Sequence, residues 1–243
     1  MAHLKRYAAP DAWHVGKKSS TYAVRTAPGP HDGGAMPAAV WLRDHMGLAR
    51  TMREARQVLN AGSIIVNGKV CKDPRLGIGV FDIVSVPGIG KHYRILRDRR
   101  GRYKSIEISA EDAKTRLAKI EDKTIISGGR VQLNLRFGAN IIADNSYKPK
   151  DSVVLSLVEG DGKKRFQILD HFPYAVGNTA MVIGGRHSGL VGRIVEIRRE
   201  VGAVPNRVIL EDPASKARFD TIEEYVYMVG KAESAVKAWG IEE

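Results

Sequence analysis

Arg53, Arg56 and Gln57 stand three and four residues apart, with Arg50 just ahead of them. In a helix that spacing sets them along one side. Guanidinium groups ranged on a face suit phosphate, because the planar fork donates two parallel hydrogen bonds to it. The same charges also describe a merely solvated surface, so the rest of the chain has to decide. Arg43 lies upstream, and Lys69, Lys72 and Arg75 follow within a short span. A second cationic run, Arg94, Arg97, Arg99, Arg100 and Arg102, comes next. A third stretch interleaves charge with rings: His3, Lys5, Arg6, Tyr7, Trp13, Lys17, Lys18, Tyr22 and Arg25. Cations mixed with aromatics suit phosphate contact together with base stacking.

Other chemistries fail on spacing. A phosphate-cradling loop needs Gly-Lys followed by Ser or Thr, and Gly90-Lys91 is followed by His92. No dinucleotide-binding Gly-x-Gly-x-x-Gly is present. The seven histidines, at 3, 14, 31, 45, 92, 171 and 187, lack metal-ligand spacing. Asp170-His171 reads as ordinary polar residues at a strand end, and no Ser sits on a nucleophile elbow. Cys71 is alone, which rules out an internal disulfide and reads as a small buried side chain. The expectation is a protein with no cofactor, no metal, no small-molecule substrate and no catalytic residue.

Charge indicates the partner. There are 39 Lys and Arg against 27 Asp and Glu, net +12. A soluble chain this basic pairs most often with nucleic acid. A membrane surface would call for a long basic amphipathic helix, and none is found. No run of 18 apolar residues occurs, and the opening MAHLKRYAAP lacks an apolar signal core, so a cytoplasmic location is expected. Residues 37–100 hold 12 basic and 5 acidic groups, whereas residues 173–243 hold 9 and 10.

These groups need elements to position them. Residues 1–36 show neither helical nor alternating periodicity and read as an extended arm that orders against a partner. Pro37 opens a helix to about Met46, which Gly47 stops. Thr51 with Glu54 forms a capping box for a second helix, its apolar side Met52, Ala55, Val58 and Leu59, and Gly62 ends it. Ile64–Val66 and Lys69–Cys71 flank Asn67-Gly68, a hairpin signal, and Phe81–Val86 adds a third strand. Beyond that the chain reads as mostly β. Tyr103–Ile108, Arg130–Leu135, Asn140–Ala143, Val153–Leu157 and Arg165–Leu169 are strands, with a helix from Ser109 to Lys119 and a turn at Asp161-Gly162. Ala180–Ile183 and Val191–Ile197 flank the tight loop Gly184–Gly189, with Arg186 and His187 at its tip. Val208–Leu210 and Tyr225–Val229 follow, then a closing helix from Lys231 to Trp239. The fold class is α+β and multidomain: an arm at 1–36, an αα-β module at 37–100, a central barrel-like domain at 101–172 and a small β-barrel with its tail at 173–243.

The stretch LRDHMGLARTMREARQVLNAGSIIVNGKVCKDP, within Pro37–Val86, resembles the small RNA-binding module first named from ribosomal protein "S four". GNTAMVIGGRHSGLVGRIVEI, Gly177–Ile197, looks like a KOW motif. The opening from His3 to His31 and the central GGRVQLNLRFGANI are similar to the archaeal and eukaryotic ("e") type of small-subunit ribosomal protein four. The length, without a long C-terminal extension, looks archaeal. The resemblance implies binding to small-subunit ribosomal RNA, neighbouring ribosomal proteins as further partners, and no enzymatic activity. Set beside the charge of residues 37–100, it assigns RNA contact to His3, Lys5, Arg6, Trp13, Lys17, Lys18 and Arg25 in the arm. In the module it assigns Arg43, Arg50, Arg53, Arg56, Gln57, Lys69, Lys72 and Arg75. Arg97, Arg99 and Arg100 at the junction and Arg186 and His187 in the loop complete the set. Two alternatives remain open at this level: an RNA-modifying enzyme of pseudouridine synthase type that carries the same module, and a transiently bound KOW-type factor.

Overall fold

The computed structural model describes residues 3–31, 34–157 and 166–231, arranged as two compact units. The turn expected at Asp161-Gly162 lies outside the described residues, as does the expected closing helix beyond Lys231.

The first unit holds, among the described residues, 3–31, 34–96, 102–116 and 157. It begins with a two-stranded ribbon, β1 (Leu4–Lys5) and β2 (Tyr22–Ala23), whose register sets Lys5 opposite Tyr22. β3 (Met36–Pro37) leads into α1 (Ala38–Val40), which continues as a π-helical turn over Trp41–His45. α2 (Met52–Asn60) forms as the spacing predicts. Thr51 accepts from Glu54 N at 3.2 Å, and the Glu54 carboxylate accepts from Arg50 N at 2.8 Å. Ala55 and Leu59 are buried, while Arg53, Arg56, Gln57 and Asn60 face out. β4 (Ile65–Val66) and β5 (Lys69–Val70) pair across Asn67-Gly68, both at positive φ as this turn type requires. β6 (Gly77–Ile78) pairs with β3. β7 (Ile83–Val86), β8 (Lys91–Arg97) and β9 (Tyr103–Ile108) extend the hairpin into a sheet ordered β5-β4-β7-β8-β9.

Two expectations fail in this unit. The described residues of the 1–36 stretch are folded rather than extended. Trp13 is 1% exposed and its indole donates to Gly34 O at 2.9 Å. Arg6 is 5% exposed and pairs with Asp44 at 2.7 Å. The cationic run from Arg94 to Arg102, for which no strand is expected, begins within β8, which holds Arg94 and Arg97, and continues into the turn that bears Arg99 and Arg100. Arg94 is buried on β8, where desolvation lowers its pKa to about 10.

The second unit holds, among the described residues, 97–101, 117–156 and 166–231. β10 (Thr115–Ile126), β11 (Arg130–Leu135), β12 (Asn140–Ala143), β13 (Ser152–Leu157) and β14 (Phe166–Phe172) form a sheet ordered β12-β11-β10-β13-β14. Its core is Ala118, Ile120, Leu133, Leu135, Ala139, Val153 and Leu155. The helix expected from Ser109 to Lys119 is therefore wrong. Its cap does form, with Asp112 N donating to Ser109 Oγ at 3.1 Å. Only one 3-10 turn follows, Asp112–Lys114, before the chain enters β10. Pairing with β11 and β13 on both sides, together with burial of Leu117, Ala118 and Ile120, outweighs a local cap.

β15 (Thr179–Val182), β16 (Val191–Arg198), β17 (Arg207–Glu211), β18 (Arg218–Ile222) and β19 (Val226–Gly230) form the other sheet, ordered β18-β17-β16-β15-β19. β18 was not expected. Buried Lys119 ties the two sheets together. Its ammonium donates to the Glu223 and Glu224 carbonyls at 2.9 and 3.1 Å, and burial, with the Lys150 and Arg136 charges, lowers its pKa to about 7.

Candidate nucleic-acid interface

The cationic residues sort by burial. Arg50, Arg53, Arg56 and Gln57 are exposed along α2, as helical spacing requires. The β4–β5 hairpin carries exposed Lys69, and Lys72 follows it. It packs on the end of α2 so closely that a β-carbon on Gly62 would stand 3.2 Å from Val70. The hairpin thus adjoins the end of the helix that carries the exposed arginines. Arg75 reaches back to the arm, where its Nε donates to Arg25 O at 3.3 Å and its carbonyl accepts from Ala27 N. Both arginines line a cleft of about 570 Å³ with Leu4, Pro10 and Trp13.

Some predicted contacts are used internally. Arg6 and Trp13 are inside the fold, and nothing in an aperiodic sequence marks them as core. Arg43 is half-buried and bonds Asp44 at 2.7 Å, so Asp44 joins Arg6 and Arg43. Lys17 pairs with Asp11 at 3.0 Å and donates to Ala9 O. Arg6, Arg43 and Lys17 share one cause: each is drawn into an ion pair with a nearby carboxylate. His3, Lys5, Lys18 and Arg25 stay exposed. Exposed Tyr7 and Tyr22, absent from the predicted set, stand beside them.

In the second unit the structure joins two predicted sites 90 residues apart in sequence. Gly189 is at φ +78°, and a β-carbon there would stand 2.7 to 2.8 Å from the Asp98 carbonyl and Arg97 O. The turn bearing Arg99 and Arg100 is thereby pressed against the Gly184–Gly189 loop, and Arg99, Arg100 and Arg186 are exposed. Gly184 is needed as well, because a side chain would meet the Tyr225 ring at 2.8 Å. Arg97 is half-buried at the seam, and His187 packs on Phe219 with ring centres 5.0 Å apart instead of standing free. The nearby strand arginines are neutralised: Arg207 by Asp220, Arg218 by Glu211 and Arg198 by Glu196.

Beneath the first surface lies a buried polar knot. Asp82 is 1% exposed and accepts from Gly79 N and Asn67 Nδ2, with His31 at 2.6 Å and Arg116 at 2.9 Å. Burial alone would raise its pKa. The His31 and Arg116 charges and these hydrogen bonds outweigh it and hold the carboxyl well below the usual range. Asn67 also accepts from Ile83 N, so the knot fixes the hairpin turn. Two further acid–base groups are engaged within the fold. His171 bonds Asp151 at 2.7 Å, and Cys71 is buried, which raises its thiol pKa to about 11. Among the described residues, no three His, Cys, Asp or Glu side chains gather as a metal site would need.

Comparison with known proteins gives this geometry its context. Residues 2–33 match the RS4NT (NUC023) domain, 36–84 the S4 domain, 89–161 ribosomal family S4e and 176–211 the KOW motif. The small ribosomal subunit protein eS4 of Methanospirillum hungatei is 53% identical over 99% of both chains. The chain belongs to the ribosomal S4e family. The eS4 of Archaeoglobus fulgidus is 42% identical over 96% of this chain and 94% of its own. The crystal structure of the 30S ribosomal protein S4e of Thermoplasma acidophilum superposes with a TM-score of 0.67 at 25% identity, over 82% of this chain and 96% of that one. The helix-and-hairpin surface falls in the S4 match, and Arg186 in the KOW match. The S4e family thus accounts for the mixed α+β, multidomain fold.

Proposed function

We infer that this chain is a structural constituent of the small ribosomal subunit that binds ribosomal RNA and does no chemistry itself. The full-length similarity to eS4 proteins carries the reading. The exposed arginines of α2 supply its physical basis. Contact runs along Arg50, Arg53, Arg56 and Gln57 with the lysines of the hairpin, and continues at Arg25 and Arg75. A second contact is made where Arg99 and Arg100 meet Arg186. The functional divisions of this reading are 1–36, 37–100, 101–172 and 173–243. Neighbouring ribosomal proteins are the other partners, and the site of action is the cytoplasmic ribosome. No membrane or small-molecule ligand takes part; no helix among the described residues is long and apolar enough to cross a membrane.

Salt dependence tests the reading. If about six to eight phosphates are neutralised, log K against log salt falls with a slope of roughly −4 to −7. A flat response would place the binding energy outside the cationic surface.

A further inference from the structure

We propose that the N-terminal ribbon carries a site for one unpaired nucleotide, its base against Tyr7 and its phosphate between Lys5 and Lys18. This rests on the reading that the chain binds ribosomal RNA. A hollow of about 520 Å³ is lined by Lys5, Tyr7, Lys17, Lys18, Ser20 and Thr21, within the range that small ligands occupy. Tyr7 is 68% exposed. Scattered exposed rings are ordinary, but this one forms the wall of a concave cationic site.

The surroundings hold the hollow in shape. Arg6, the residue before Tyr7, turns inward to Asp44, Gly16 O and Ser20 Oγ, so the one-turn segment Arg6–Ala8 directs Tyr7 outward. Arg6 N also donates to Thr21 O, closing one side. Lys17 ties its ammonium to Ala9 O and Asp11, which fixes the far side and leaves Lys5 and Lys18 as the exposed cations. Tyr22 stands across from Lys5 in the ribbon, and the His3 ring meets it edge-on at 5.2 Å. A bare phosphate or an acidic peptide would use the lysines and leave the tyrosine idle. A nucleotide uses both, because every base offers a π-face to an aromatic wall. The base must be unpaired, since in an A-form duplex its faces are stacked away.

The test uses the full chain and two RNA hairpins that differ by one bulged 2-aminopurine, at fixed salt. The expected result is a preference of about tenfold for the bulged hairpin, the size of one base–aromatic stack, with a change in 2-aminopurine fluorescence on binding. Tyr7→Phe keeps both. Tyr7→Ala loses both, yet keeps its circular dichroism, its affinity for the paired hairpin and the salt slope. Lys5→Gln with Lys18→Gln makes the slope shallower by roughly one to two. Equal binding of the two hairpins by the natural chain, or a preference that survives Tyr7→Ala, overturns the nucleotide site and leaves the ribosomal reading standing. Failure to bind either hairpin or the small-subunit RNA would overturn both.

Discussion

Replacing Arg53 and Arg56 together by Ala will weaken binding to small-subunit ribosomal RNA about a hundredfold at physiological salt. Both are exposed on α2, and neither makes an ion pair among the described residues, so their guanidinium groups are available. A hydrogen bond to a charged group contributes about 1.5 kcal/mol at the low end. Two such losses amount to about 3 kcal/mol, or two decades in Kd. The slope of log K against log salt will become shallower by about 1.5 to 2. Stability will hardly change, because Ala suits a helix and neither side chain is packed. Arg207→Ala with Arg218→Ala is the matched control. Those arginines are already neutralised by Asp220 and Glu211, so their loss removes net charge elsewhere with little effect on affinity. Equal losses in the two double variants would show that overall charge, and not the α2 face, governs binding.

Asp82→Ala will destabilise the first unit by about 3 to 5 kcal/mol, the usual cost of stranding buried charged partners. The carboxylate is 1% exposed and sits among His31, Arg116, Gly79 N and Asn67, which would lose their shared partner. Gly79 adds a constraint, since a β-carbon there would overlap the His31 ring. The pH dependence follows from the depressed pKa. Asp82 is ionised in the folded state at pH values where an unfolded Asp, near 3.9, already takes up a proton. Its contribution is therefore complete above that value and is lost as pH falls further below it. Urea unfolding followed through the buried indoles of Trp13 and Trp41 will show the lost stability at pH 7. Asp82→Asn will flatten the acid limb of the profile. A midpoint within experimental error of the natural chain would mean that the knot contributes little.

What the sequence revealed followed from local rules. The Thr51 cap, the α2 stripe and the Asn67-Gly68 turn are each decided within a few residues, and all three appear in the structure. Arg53, Arg56 and Gln57 were legible as an exposed face because helical periodicity alone sets their direction. Long-range pairing was not legible. Arg6 finds Asp44 38 residues away, and Trp13 finds Gly34 across a segment without periodicity. Thr115–Ile126 carries a helix cap signal ahead of it and still becomes a strand, because β11 and β13 claim both its edges. The meeting of the Arg99 turn with the Gly184–Gly189 loop depends on strand order, which spacing cannot express. Burial rather than residue type thus separates the cations that face outward from those held inside the fold.

The central claim, that this chain is an integral part of the small ribosomal subunit, is tested most directly by sedimentation of ribosomes through sucrose gradients containing high salt. The account predicts that the chain remains with the small-subunit peak after subunits separate, near one copy per particle, while loosely bound factors wash to the top. A chain found only at the top of the gradient, with small subunits complete in its absence, would contradict it.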